Sequence, residues 1–160
     1  MQKPALTLSA LILTLNEEDM IEQALSQLDF VDEIIVLDQG SHDKTLKIAK
    51  RFTPKVSISQ SNSFAQNRNL LAAKAKGKWL LYIDADERLS NALKEEIKQV
   101  ITNSDSHVIF YIPRKNIILG KWAKYGGWWP DFVPRLIKKE KITKWQGKIH
   151  ESPQVEGKVG

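Results

Sequence analysis

The sequence predicts an α/β fold, a three-layer α/β/α sandwich built on a mainly parallel central sheet. Two patterns predict it. Apolar runs of strand length alternate with segments of 9–13 residues whose apolar positions recur at helical spacing, the signature of successive βαβ units. The runs are also nearly continuous in apolar character, as in strands covered on both faces.

The elements follow in order. Leu6–Leu15 reads as the first strand. Asn16 then caps a helix running to about Leu28, with Glu17, Glu18 and Asp19 in its first turn. Glu33–Asp38 (EIIVLD) is the second strand, and QGSHDKT turns the chain into a helix over Lys44–Phe52. Lys55–Ser59 is a short third strand. Ser63–Ala75 reads as a helix stopped by Gly77. Trp79–Ile83 is the fourth strand, and Ser90 caps a helix to about Ile101, with Leu93, Ile97, Val100 and Ile101 on one face. Val108–Pro113 is the fifth strand. After Arg114 the rhythm breaks: Trp, Gly and Pro gather in LGKWAKYGGWWPDF, and Val133–Lys138 with Ile142–Ile149 reads as a hairpin. The expected organisation is one domain over residues 1–160, with a nucleotide-binding half (1–112) and the start of an acceptor-binding half (113–160). The chain ends at VEGKVG with no closing helix, which predicts a protein that continues.

Composition narrows the chemistry. There is no cysteine, so disulfide frameworks and thiolate chemistry are excluded. No apolar run approaches the roughly 20 residues of a membrane span. The apolar start runs straight into NEED, so it reads as a buried strand and not as a leader peptide. Together these features predict a cytoplasmic protein. Charge is uneven: residues 113–160 hold eleven Lys+Arg against four Asp+Glu, a net of +7 within an overall +5. A basic last third predicts an anionic partner such as a phosphorylated glycan or a phospholipid surface, with peripheral contact at the inner face of the cell membrane. Lys138, Lys144 and Lys148 share strand parity and would carry much of that contact.

Ligands of open parallel sheets bind beyond the carboxyl ends of the strands. Three such ends carry polar groups here: Thr14-Leu15-Asn16-Glu17, Asp38 followed by Gly40 and Ser41, and Asp84-Ala85-Asp86. Any one of them fits an ordinary polar turn. All three on one edge predict a crevice. Adjacent carboxylates such as Asp84, Asp86 and Glu87 repel one another unless solvated or holding a cation.

The order of LILTLNEE (11–18), DEIIVLDQGSHDKT (32–45), FAQNRNLLAAKAKGKWLLYIDADERLS (64–90), YGGWWPDFVPRLIKK and GKIHE resembles family 2 glycosyltransferases of the GT-A fold. Within that family it is most similar to bacterial enzymes of lipopolysaccharide-core and cell-surface glycan synthesis. The second motif departs from the common pattern, reading Asp-Gln-Gly-Ser-His-Asp.

The resemblance implies transfer of a hexose or heptose from a nucleotide diphosphate sugar to a glycan or lipid-linked acceptor, with inversion and with Mg²⁺ or Mn²⁺ as cofactor; nucleic acid is not an expected partner. It further implies that Asp86 binds the metal, that Asp84 faces the ribose or a metal-bound water, and that Asp38 contacts the base, with Thr14, Asn16 and Glu17 framing the pocket. Arg68 is expected to reach the nucleotide or to organise the aspartates. His150 is a candidate third metal ligand.

An inverting transferase needs a general base, and Asp131 and Glu151 both qualify. Asp131 is preferred, because the neighbouring aromatics should dry its surroundings and raise its pKa. Of the tryptophans, Trp122 and Trp145 are expected in the core, while Trp128 and Trp129 could stack on sugar. Two rivals remain: a nucleotidyltransferase, disfavoured by the acidic Asn16-Glu17-Glu18-Asp19 where triphosphate would lie, and a non-catalytic sugar-nucleotide or membrane-surface binding module.

Overall fold

The computed structural model describes residues 7–103, 106–147 and 151–160. Its strands are β1 (Leu8–Thr14), β2 (Glu33–Asp38), β3 (Val56–Ile58), β4 (Trp79–Asp84), β5 (His107–Arg114), β6 (Ile117–Ile118), β7 (Lys121–Trp122), β8 (Asp131–Lys138), β9 (Ile142–Gln146), β10 (Ser152–Val155) and β11 (Lys158–Val159). The helices are α1 (Ile21–Ser26), α2 (Thr45–Phe52), α3 (Phe64–Lys74) and α4 (Asn91–Thr102). Seven strands form the central sheet in the order β11-β5-β8-β4-β1-β2-β3; the pairs β1–β2, β1–β4, β2–β3 and β5–β11 are parallel.

Side-chain alternation sends each strand's apolar residues into two cores. Leu8, Ala10 and Ile12 of β1 join Leu81 and Ile83 of β4 under α1, α2 and α4. Leu11, Leu13, Ile35, Leu37, Leu80 and Tyr82 face the other way, toward α3 and Trp145 of β9. The α/β/α sandwich is therefore present, and its strands read as continuous apolar runs because both faces are covered. Ser63 and Ser90 cap α3 and α4 as their side chains predict, accepting from Gln66 N–H and Leu93 N–H.

Three expectations are corrected. Asn16 does not cap α1. It takes a left-handed φ of 53°, and the helix begins only at Ile21, leaving Glu17, Glu18 and Asp19 in a polar loop. Gly77 is demanded by packing and not by a helix stop: a Cβ there would lie 2.6 Å from Ser9 Oγ and 2.7 Å from Ser9 N. The hairpin predicted from Val133 onward does not form. β8 instead runs antiparallel between β4 and β5, and β9 pairs with β10. The reason is that Leu136 and Ile137 point to opposite faces and both are buried, so β8 needs cover on each side. In β9 only Trp145 is buried, which suits a strand laid over one face.

Candidate active site

Parallel register brings three strand ends level: Thr14 lies opposite Asp38, and Leu13 opposite Asp84. The loops that follow β1 and β2 are laced together. Ser41 Oγ accepts from Asn16 N–H at 2.8 Å, and Asn16 Oδ1 accepts from His42 N–H at 2.9 Å. Thr45 Oγ1 accepts from Glu17 N–H, and Asp43 accepts from Glu18 N–H. Leu15 is exposed, whereas Thr14 is buried with its hydroxyl unpartnered.

Asp38 is fully buried. Its Oδ1 accepts from Gly40 N–H (2.9 Å) and Ser41 N–H (2.7 Å), and its Oδ2 from Ser41 Oγ–H (2.6 Å). Gly40 holds a φ of 94° that favours glycine in this turn. The carboxylate expected to meet a nucleotide base thus also shapes its own loop. Asp38→Ala strands three donors in a part-buried turn, and the expected loss is about 1–3 kcal/mol of stability, read as a shift in the urea midpoint.

The Asp-x-Asp turn divides its labour. Ala85 is buried, and its carbonyl accepts from Arg88 Nη1 at 2.9 Å; Arg88 Nη2 also reaches Met20 O, fixing the turn to the start of α1. Asp86 is exposed and has no hydrogen-bond or ion-pair partner among the described residues. Asp84 is held by two guanidiniums, Arg135 at 2.5 Å and Arg68 at 3.5 Å.

These pairs belong to one alternating chain: Glu151–Arg68 (3.2 Å), Arg68–Asp84, Asp84–Arg135, Arg135–Glu87 (2.5 Å), Glu87–Arg114 (3.8 Å) and Arg114–Asp131 (2.8 Å). Burial alone would lower the Arg135 pKa, but Asp84 and Glu87 more than offset it and hold the guanidinium charged. Burial pushes the Glu87 carboxyl up against the pull of Arg135, and the Asp84 charge adds to the rise. Arg68 also stacks over Trp145 (4.9 Å) and Tyr82 (5.6 Å).

Arg68 therefore reaches one of the two aspartates, Asp84, and not Asp86. Arg135 escaped the sequence reading, although an arginine inside the apolar strand segment VPRLIK was the available signal. Both candidate bases sit at ends of this chain. The expected rise in the Asp131 pKa is overturned: hydrogen bonds from Asn116 and Arg114, with the charges of Arg114 and Arg135, lower it by more than burial raises it. Trp145 is buried as expected, Trp122 is partly buried, and Trp128 and Trp129 are exposed.

Among the described residues no group of three or more histidine, aspartate or glutamate side chains is arranged to hold a metal. His150 and Lys148 lie outside the described residues. The remaining donors still suit a cation shared with a ligand. Burial, and the charges of Asp86, Asp43 and Asp84, raise the Glu17 carboxyl, so a positive charge is favoured beside the free Asp86. Of the lysines expected to form a basic face, Lys144 is exposed, whereas Lys138 lies over Trp79 at 5.2 Å; the neighbouring Lys139 Nζ donates to Ala75 O. Both stand at the sheet edge opposite Asp84. No helix among the described residues is long and apolar enough to cross a membrane. A cavity of about 630 Å³ opens beside the site, walled by Asp86, Arg135, Ile112, Val133, Leu93 and Asn116.

Comparison with known proteins accords with this geometry. The chain is 28% identical over 168 residues to the lipopolysaccharide core biosynthesis glycosyltransferase LpsC of Rhizobium meliloti (strain 1021), an alignment covering 98% of this chain and 60% of LpsC. It is 30% identical over 151 residues to the SPbeta prophage-derived glycosyltransferase SunS of Bacillus subtilis (strain 168), covering 92% of this chain and 35% of SunS. The chain thus spans less than two thirds of either relative. Among solved structures, S. aureus TarS 1-349 in complex with UDP-GlcNAc superposes with a TM-score of 0.59 at 26% identity, over 74% of this chain and 37% of TarS. The family pattern described as glycosyl transferase family 2 matches residues 9–154, more than nine tenths of the sequence, and the chain belongs to that family.

Proposed function

We propose that the chain supplies the donor-binding part of a glycosyltransferase that moves a sugar from a nucleotide diphosphate sugar to a glycan or lipid-linked acceptor of the cell envelope. The observation that carries this reading is the convergence of three strand ends on one edge, with Asp86 exposed just past the end of β4 and unpartnered among the described residues. The resemblance to TarS, solved with UDP-GlcNAc, favours a UDP-sugar donor.

Thr14, Asn16, Glu17 and the Gly40–Ser41 turn form the wall against which the nucleoside lies, and Asp38 stiffens that wall. Asp86 is the residue that would hold Mg²⁺ or Mn²⁺; Asp84, already neutralised by Arg135 and Arg68, is set back to meet ribose or bound water. A divalent cation there supplies charge neutralisation for the departing nucleoside diphosphate.

On the acceptor side, Asp131 takes the proton from the attacking hydroxyl as that oxygen bonds to the anomeric carbon opposite the leaving group. Asn116 and Arg114, which hold Asp131, both wall the cavity where an acceptor would enter. Asp131 is ionised at neutral pH, although its lowered pKa makes it a weaker proton acceptor than an unperturbed carboxylate, so its place beside the cavity carries the assignment. Glu151 instead serves as an anchor for Arg68.

Calorimetry of UDP-, GDP- and ADP-sugars with and without Mn²⁺, followed by nucleotide release in the presence of acceptor, tests the reading. Asp131→Asn is expected to keep donor affinity and to lose at least about 100-fold in turnover. Turnover surviving in Asp131→Asn but absent in Glu151→Gln would move the base to Glu151. A chain that binds no nucleotide sugar overturns the proposal.

A further inference from the structure

Residues 106–130 contain no acidic side chain, yet they carry Arg114, Lys115, Lys121 and Lys124. Within this stretch β6 and β7 form a small antiparallel hairpin separate from the main sheet. Its tip is Leu119-Gly120, with φ of 49° and 75°. Two successive left-handed residues make the turn type in which asparagine-glycine is preferred. A leucine at the first position carries backbone strain. It is also 98% exposed, next to Ile117 and Ile118 at 57% and 45%. Backbone and solvation both disfavour this residue in the isolated chain, and a contact that buries the tip would offset them.

The surroundings identify the contact. Lys115 and Lys124 bracket the Trp122 ring at 4.5 and 4.4 Å, which fixes two ammonium groups at the hairpin base. Lys121 leads out of the turn. None of the three has a carboxylate partner among the described residues. Tyr125 and Trp128 lie nearby, 86% and 50% exposed. An aliphatic tip, a collar of lysines and flanking indole and phenol rings match the layers of an anionic bilayer surface in turn: acyl chains, phosphates and the interfacial zone.

We propose that the β6–β7 hairpin docks the protein on an anionic lipid surface, with Ile117–Leu119 inserted and Lys115, Lys121 and Lys124 on lipid phosphates. The hairpin base also belongs to the site. Asn116 Nδ2 donates to Asp131 at 3.0 Å and to Trp128 O at 3.3 Å, and Lys115, Asn116 and Ile117 wall the cavity that reaches Asp86. A docked hairpin therefore turns the cavity mouth to the lipid headgroups. If the transferase reading holds, on which this step alone rests, the acceptor is the lipid-linked class.

Co-sedimentation of the chain with vesicles of mixed phosphatidylglycerol and phosphatidylcholine, against pure phosphatidylcholine, tests the docking. Binding is expected to the anionic vesicles at low salt and to weaken at high salt, with each lysine replaced by alanine lowering affinity about fivefold. Leu119→Asn is the decisive variant: it suits the left-handed turn, so thermal stability should hold or rise, while vesicle affinity falls by about tenfold. No sedimentation at low salt, equal sedimentation with neutral vesicles, or an unchanged Leu119→Asn would each overturn the proposal. Titrating UDP-sugar into the same proteins separates the two readings: vesicle binding without nucleotide binding sinks the transferase function and leaves the docking intact.

Discussion

Asp86→Ala is expected to remove the metal-dependent part of nucleoside diphosphate binding while leaving the fold intact. Asp86 is exposed, makes no contact that the fold relies on, and lies among carboxylates whose combined charge, with burial, raises Glu17. Its removal relieves repulsion in the free protein, so the melting temperature should hold or rise slightly. In the complex the cation loses an exposed carboxylate that has no other partner among the described residues. A lost interaction with a charged group is worth about 1.5–3 kcal/mol, roughly a 10- to 150-fold weakening of UDP binding in the presence of Mn²⁺. Without Mn²⁺, wild type and variant should bind alike. Equal affinities with Mn²⁺ would remove Asp86 from the metal role and leave the turn as a polar cap.

Arg135→Met should have the opposite profile, a large effect on the fold. Arg135 is 7% exposed and holds Asp84 and Glu87, each at 2.5 Å. Methionine fills a similar volume but leaves two carboxylates without their main counter-charge. Breaking one side of a buried pair costs about 3–5 kcal/mol. The sign of the pH dependence is distinctive. Glu87 already has a raised pKa through burial, and losing Arg135 raises it further. A carboxyl whose folded pKa lies above its unfolded value binds more protons when folded, so the deficit should shrink as pH falls through that raised value. Urea denaturation at neutral and mildly acidic pH measures both points. A deficit that stays constant with pH would mean that packing, and not charge, explains the loss.

The contrast between those two residues shows what the sequence could and could not convey. Apart from the start of α1, the strands and helices up to Thr102 were legible because each depends on local periodicity, and for α3 and α4 also on local caps; Ser63 and Ser90 each act within three residues of themselves. The clustering of Thr14, Asp38 and Asp84 was legible as well, since parallel strands of similar length end together. Which aspartate is free was not. Asp84 is claimed by arginines 16 and 51 residues away, and no local pattern announces their arrival. The same limit hid the place of β8. Its strand character is written in VPRLIK, but its neighbours are set by the need to bury Leu136 and Ile137 on opposite faces. The pKa of Asp131 was misjudged because adjacent aromatics in sequence were taken as neighbours in space, whereas Asn116 and Arg114 are its partners.

The insertion of β8 between β4 and β5 has a consequence for the order of assembly. Ribosomal synthesis delivers β4 and β5 first, and the strand that joins them comes later. Until then each presents a row of unpaired backbone groups, the kind of edge on which nascent chains associate. The strand that closes this gap also delivers Arg135 to Asp84, 51 residues earlier in the chain. Closing the sheet and quieting the carboxylates are a single event. A ribosome-bound chain lacking β8 has neither a finished sheet nor an Asp84 paired with Arg135, so the strand-end site takes its final form only with that later segment.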